Sequence, residues 1–375
     1  MGHYLRVVTL ASASGKYGGP FDTAGRQAAN WVSSTAHRSV LLAGYLEGDR
    51  PHTHDSLVEI DFSRVRRMFP SPGFTGLASW AVTKAIISNS RLSELIHISM
   101  SREIIPLTAL LVARLLRKPL VLQPHGMLTT RSTVLFRFTN RLLGLLMGKR
   151  ALFLALTESE ARELRAAFGL HIHVQVLGNP LPPEVRRVDL SITADAISDA
   201  VFIARLHPRK RVGVFVEAAR ESARRGWASK YSVVGPDGGD IALVTGITAE
   251  NFAYEGAMRA DQIVDRLLRT RVFVHTADNE PWGNVLVTAI ALGIPVVVPE
   301  STALASTIRE TGAGIVVPDS DAAAVAEAVN HLISDPEAYA QVTLGAARFT
   351  ELYLSERQQI EGLRTAYSSA IELAK

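Results

Sequence analysis

The sequence predicts an α/β protein built as two doubly wound domains, each a parallel sheet with helices on its faces. Three observations carry that prediction: short apolar runs alternate with helix-length segments, the alternation occurs twice, and a proline-rich polar stretch separates the two series. The first series is LRVVTLA (5–11), SVLLAG (39–44), ELIHIS (94–99), PLVLQ (119–123), ALFLAL (151–156) and VQVLG (174–178). The second is AVFIA (200–204), YSVVG (231–235), VFVHT (272–276), IPVVV (294–298) and GIVVP (314–318). GNPLPPEVRRVDLSITADA (178–196) reads as the linker. The expected domains are 1–180 and 181–354, with a terminal helix over about 355–375 packing back on the first.

Composition agrees and excludes several classes. The chain has 375 residues, 47% of them hydrophobic, more than one ordinary core requires. With no cysteine, a disulfide scaffold, a cysteine nucleophile and a thiolate zinc site are all ruled out, and a reducing, cytoplasmic setting is expected. The opening MGHYLRVVTLASASGKY reads as a strand and a glycine turn rather than a secretory leader. Arg114, Arg117, Arg137 and Arg141 interrupt the most apolar regions, so no transmembrane span is expected.

Charge is divided unevenly. Residues 1–180 hold 21 Lys/Arg against 11 Asp/Glu, and the remainder holds 19 against 25. In residues 84–150, 11 basic side chains face only Glu94 and Glu103, which attracts anionic surfaces or substrates. The basic residues alternate with Leu, Ile and Phe at helical spacing and lack an aromatic stacking platform, so nucleic acid is not the expected partner. Helices over 102–118 and 131–150 combine leucine-rich faces with Arg102, Arg114, Arg117, Lys118, Arg131, Arg137, Arg141, Lys149 and Arg150. Two readings fit: helices lying against anionic lipid at the inner face of a membrane, or leucines packed under the sheet with a solvated basic outer face.

In open parallel sheets, ligands bind outside the carboxyl ends of the strands, and several residue groups fall there. SASGKYGGPFD follows the first strand; its Gly15, Gly18 and Gly19 suit either a close backbone approach to an anion or an ordinary loop closure. PLVLQ ends in Pro124-His125-Gly126, where a histidine can hydrogen-bond or exchange a proton near neutral pH. AVFIA runs into Arg205-Leu206-His207-Pro208-Arg209-Lys210, where Arg205 and Lys210 suit either opposite sides of a diphosphate or a solvated basic turn. VFVHT runs into Ala277-Asp278-Asn279-Glu280-Pro281-Trp282-Gly283; Asn284 is the expected cap of the following helix, whose N-terminus offers free amides to a phosphate. Glu280 stands just before it, able to accept bonds from sugar hydroxyls, and Gly235 ends its strand beside the same edge. PDSD (318–321) reads as a helix cap supplied by Asp319 or Ser320 rather than a metal site. PHTHD (51–55) and HIH (171–173) lack further ligands for zinc.

These residues carry a family resemblance across nearly the whole chain. FIARLHPRKR and ADNEPWGNVLVTAIALGIPVVVP resemble two motifs of the retaining, nucleotide-sugar-dependent glycosyltransferases of GT-B fold, the group 1 or family four type. LVLQPHGML, LTESEARELRAAFG and VQVLGNP are similar to segments of members that build surface polysaccharides. The resemblance implies a cleft site between two Rossmann-like domains. There Arg205 and Lys210 hold the donor diphosphate, Gly18 and Gly19 approach it, and Gly235 lies near the nucleotide. Glu280 with Pro281, Trp282, Gly283 and Asn284 holds the sugar, and His125 faces the reacting centre. It implies no metal and no other cofactor, a hydroxyl acceptor that a lipid could carry, and retention of the anomeric configuration. The chain departs from the pattern at Thr288, where the second glutamate of the family stands, at Arg211 in place of a glycine, and at ESTALASTIRE in place of a Gly-Gly loop. Those departures keep two other readings open: a non-catalytic binding or assembly subunit, and a nucleotide-sugar isomerase of the same fold.

Overall fold

The two series of apolar runs form two all-parallel sheets in two units, Met1–Pro180 with Glu356–Lys375, and Leu181–Ser355. The computed structural model describes residues 2–13, 18–51, 57–68, 74–128, 134–185 and 198–375. Gly15, the histidines of PHTHD, Arg131 and the linker beyond residue 185 lie outside that set, as do the side chains of Arg137 and Lys149.

Unit 1 runs β1 (His3–Leu10), α1 (Gly18–Ser34), β2 (Arg38–Tyr45), β3 (Glu59–Arg64), β4 (Arg66–Arg67), β5 (Leu77–Ala78), α2 (Trp80–Leu92), β6 (Leu95–Ser99), α3 (Ile104–Leu115), β7 (Leu120–Gln123), α4 (Val134–Met147), β8 (Ala151–Ala155), α5 (Glu158–Phe168) and β9 (His173–Val176). Its seven-stranded sheet has the order β3-β2-β1-β6-β7-β8-β9, and β4 and β5 form a small antiparallel ribbon. Side chains alternate across β1: Leu5 and Val7 enter one core beneath α2 and α3, whereas Tyr4 and Val8 enter separate clusters on the opposite face. Burial on both faces explains why these strands read as continuous apolar runs. The strand β3 was not anticipated, because EIDFSR is polar and lies at the sheet edge.

Unit 2 runs β10 (Ser198–Ile203), α6 (Val212–Arg224), β11 (Tyr231–Val234), β12 (Phe252–Tyr254), α7 (Ala260–Leu268), β13 (Thr270–Val274), α8 (Asn284–Ala291), β14 (Val296–Pro299), α9 (Ala305–Thr311), β15 (Gly314–Val317), α10 (Ala322–Ser334) and α11 (Pro336–Phe349). The strand order β12-β11-β10-β13-β14-β15 reverses between β10 and β13, the crevice where doubly wound sheets bind ligands. The last helix, α12 (Glu356–Ala374), belongs to unit 1 and packs against α1, β7 and β8.

A buried polar knot sits under α12. Arg6, only 2% exposed, donates to Gln27 Oε1 at 3.0 Å, to His97 Nδ1 at 3.1 Å and to the Tyr367 hydroxyl. A guanidinium can only donate, so His97 Nδ1 accepts and the imidazole proton sits on Nε2. Burial, reinforced by the Arg6 charge and by His125, holds His97 well below the usual imidazole range.

Candidate functional site

Two loops leave adjacent strands at the switch point of unit 2. The first follows β10 through Arg205 to Arg211, and the second follows β13 from His275 to Gly283. They are fastened together: Lys210 Nζ pairs with the Glu280 carboxylate, Arg211 pairs with Asp278, and Thr276 Oγ1 donates to the carbonyls of Lys210 and Arg211 at 2.9 and 3.0 Å. Burial pushes the Glu280 carboxyl up, but Lys210, His275 and Arg209 outweigh it and hold the group below the usual carboxylate range. His275 sits behind this pair, 7% exposed, with Nε2 lacking a hydrogen-bond partner among the described residues. Its burial lowers the imidazole to about 4, so it is neutral at neutral pH.

Each predicted donor residue has a definite place. Arg205 is exposed, its stem lying over Gly238, where an added Cβ would stand 2.9 Å from Arg205 Cγ. Gly235 ends β11 with φ +154°, and a Cβ there would stand 1.8 Å from the Ala204 carbonyl oxygen, so no side chain fits. Pro281 is half-buried and Trp282 is buried, its indole Nε1 unpartnered among the described residues. The expected cap at Asn284 is corrected. Gly283 is the N-cap of α8, at φ 73°, and Asn284 is already helical. The turn entering α8 is left-handed, a conformation that costs glycine nothing and asparagine something. The first amides of α8 remain without intrahelical acceptors, as at any helix start.

Thr288 lies on the buried face of α8 and its hydroxyl donates to the Asn284 carbonyl at 2.8 Å. Arg211 adopts φ 49°, the left-handed geometry that the glycine of the family pattern would take freely; its pair with Asp278 and its bond to Ser320 Oγ hold it there. The cap of α10 is also corrected. Asp321, rather than Asp319 or Ser320, accepts from Ala324 N–H, while Asp319 accepts from Ser301 N–H at 2.9 Å and ties the β14 and β15 loops together. The Ala303 N–H bond to the Glu280 carbonyl adds the β13 loop to this lacing. Among the described residues no three His, Cys, Asp or Glu side chains group as metal ligands.

Unit 1 presents a second edge. Gly18 and Gly19 form the first turn of α1 after β1. His125 follows β7 with φ 52°, its Nε2 3.4 Å from Ser99 Oγ, and burial lowers its imidazole to about 4. Arg102, counted on the basic face in the sequence, instead donates to the Met127 carbonyl at 3.0 Å and to Asn140 Oδ1 at 2.7 Å. Leucines stand exposed at the ends of α2 and α3: Leu92 and Leu115 are both 73% exposed, beside exposed Arg91, Arg114 and Arg117. No described helix is long and apolar enough to cross a membrane. Sequence reasoning missed His275 and Asp278, whose only signal was their place directly after a strand.

Comparison with known proteins bears on the family and the fold. Residues 198–335 match the model of the family described as glycosyl transferases group 1. D-inositol 3-phosphate glycosyltransferase of Streptomyces bingchenggensis is 24% identical over 273 residues, covering 65% of this chain and 60% of that protein. Its namesake in Acidothermus cellulolyticus is 26% identical over 200 residues, covering 50% and 43%. The chain thus spans about half the length of the curated relatives it matches. The structure of Anabaena HepE in complex with UDP and glucose superposes with a TM-score of 0.74 at 17% identity, covering 98% of this chain and all of that one. The fold is therefore GT-B, two Rossmann-like units in one chain. Within it, the segment carrying Arg205, Lys210 and Glu280 is the part that matches the group 1 glycosyl transferase model.

Proposed function

We propose that the protein is a glycosyltransferase that moves a sugar from a nucleoside-diphosphate donor to a hydroxyl acceptor with retention of configuration, using no metal. The observation that carries the reading is the Lys210–Glu280 pair at the switch point of unit 2, with exposed Arg205 on one loop and the start of α8 on the other. A fixed cation, a guanidinium and a helix N-terminus suit the charge that gathers on a departing diphosphate, while Glu280 suits sugar hydroxyls. In the transfer, the acceptor oxygen bonds to the anomeric carbon as the bond to the diphosphate breaks, and the leaving phosphate oxygen takes the acceptor proton. His125, at the edge of the unit 1 sheet and neutral at neutral pH, suits hydrogen bonding rather than charge stabilisation. That HepE is solved with UDP favours a UDP-sugar as the first donor to try, and the named relatives favour a polyol phosphate among the acceptors.

A donor panel tests this. UDP-, GDP-, ADP- and TDP-sugars are screened by thermal shift and then by turnover with and without acceptor alcohols. One base should raise the melting temperature and support transfer or slow hydrolysis. Binding without turnover would favour the assembly-subunit reading, and rearrangement of the donor would favour the isomerase.

The same reading extends to a lipid-linked acceptor in surface polysaccharide or glycolipid synthesis. Its support is the surface at the ends of α2 and α3, where Leu92, Leu111 and Leu115 stand among Arg91, Arg114 and Arg117. Exposed leucines beside exposed basic residues suit the inner, anionic face of a membrane. Co-sedimentation with anionic vesicles should occur at low salt and fade at high salt; its absence at low salt removes the membrane contact.

A further inference from the structure

Glu160 is a buried carboxylate for which the proposed transfer has no use. It is 4% exposed and lies in the first turn of α5. Thr157-Glu158-Ser159-Glu160 has the sequence of a reciprocal helix cap, in which the first residue accepts from the backbone of the fourth and the fourth side chain returns to the backbone of the first. Half of that device is present: Thr157 Oγ1 accepts from Glu160 N–H at 3.2 Å. The carboxylate goes elsewhere. Its Oε2 accepts from Leu156 N–H and its Oε1 from Gly126 N–H, both at 2.6 Å. Leu156 follows β8 and Gly126 follows β7, two hydrogen-bonded neighbours in the sheet. One side chain therefore bridges the exits of two adjacent strands.

The bond to Gly126 bears directly on His125. The Gly126 N–H belongs to the same peptide plane as the His125 carbonyl, so fixing it fixes the rotation that follows the His125 Cα. His125 and Gly126 both have positive φ, 52° and 75°, and for a histidine that conformation persists only where its surroundings hold it. Held so, the imidazole lies 3.4 Å from Ser99 Oγ at the end of β6. Two backbone donors need a group that only accepts at both oxygens. A carboxylate meets that need, whereas a glutamine would turn its amide N–H toward one of them. Burial raises the Glu160 carboxyl, and the Leu156 and Gly126 amides offset this only in part.

We propose that Glu160 is a positioning residue, whose carboxylate holds the turn after β7 so that His125 presents its imidazole at the carboxyl edge of the unit 1 sheet. The purpose assigned to this device rests on the transfer reading above; the device itself does not.

The test compares Glu160→Gln and Glu160→Asp with the native protein in two measurements. Imidazole NMR across pH 3–8, with His125→Asn to assign the signal, reads where the ring sits. Initial rates against donor concentration read its use. In Glu160→Gln the His125 signal should move and its titration should climb from about 4 toward the usual imidazole range as the ring swings to water. The kcat should fall at least tenfold with the donor KM held within twofold, because the donor groups are in unit 2. Glu160→Asp should recover part of both, and it provides the reading if the glutamine variant does not fold. An unmoved His125 signal and titration in a variant whose melting temperature alone has dropped would overturn the proposal. A native protein inert toward every donor would defeat the transfer reading alone, and the NMR measurement would still decide the role of Glu160.

Discussion

The carboxyl edges of the two sheets solve the same geometric problem with opposite electrostatics. In unit 2 the loops beyond β10 and β13 are joined by full charges, Lys210 with Glu280 and Arg211 with Asp278. In unit 1 the turn beyond β7 presents a neutral imidazole, and the acid that reaches it, Glu160, bonds to backbone amides rather than to a cation. The contrast teaches how similar sheets are given different tasks. An edge carrying paired charges can exchange one partner for a phosphate, whereas an edge of neutral groups can only offer hydrogen bonds.

For binding and turnover, replacing the charged pair is expected to have the largest effect. Lys210→Ala should weaken nucleoside-diphosphate binding by about 1.5–3 kcal/mol, the range for hydrogen bonds to charged groups, and lower turnover at least as much. Glu280→Gln should spare nucleoside-diphosphate affinity while turnover falls. His125→Ala should likewise leave that affinity unchanged in calorimetry. If His125→Ala and Lys210→Ala weaken it equally, the division of labour between the edges is wrong.

For stability rather than binding, the largest effect expected is that of Gly235→Ala. A Cβ 1.8 Å from the Ala204 carbonyl oxygen forces the backbone to move, and a loss of about 3 kcal/mol or more is expected in denaturant unfolding. The loss should fall on the transition of unit 2, and a native midpoint would mean that β10 and β11 separate more readily than their pairing implies.

Acid should then distinguish the units. His97, His125 and His275 are all depressed by burial, the last two to about 4. The unfolded chain takes up protons that these folded imidazoles refuse, so the stability they contribute is present above pH 6.5 and is lost as pH falls toward 4, at about 1.4 kcal/mol per pH unit for each group. Glu160 acts in the opposite sense, since its raised carboxyl favours the fold on the acid side. Two of the three histidines belong to unit 1, so its midpoint should drop faster between pH 6.5 and 5. Equal slopes would count against the burial of His97.

The smallest effect expected is that of Tyr367→Phe. It removes one of the acceptors of a buried guanidinium and should lower the stability of unit 1 by about 1–3 kcal/mol in the same unfolding assay. A neutral result would mean that Gln27 and His97 suffice for Arg6.

Both sheets were legible in the sequence because strands covered on two faces must be apolar throughout, and the loops Arg205–Lys210 and Asp278–Gly283 were legible because polar residues crowd directly after such strands. Three features were not. Arg6 reads as an interruption in an apolar run, and only the fold supplies the α1, β6 and α12 groups that receive it. Asn284 has the better capping side chain, yet the backbone turns left-handed one residue earlier, so Gly283 takes the cap. Glu160 has the local pattern of a helix cap, and its diversion to Gly126 depends on β7 lying beside β8, which no local pattern encodes.

The return of α12 to unit 1 sets an order of events during synthesis. The core around Tyr4, Trp31, Leu363 and Tyr367 cannot close until residues 356–375 have left the ribosome, after the whole of unit 2. At ribosomal rates of about 5–20 residues per second, the roughly 175 residues of unit 2 impose a wait on the order of 10–35 s. During it the Arg6 guanidinium lacks its tyrosine, and one face of the first sheet remains open to chaperones.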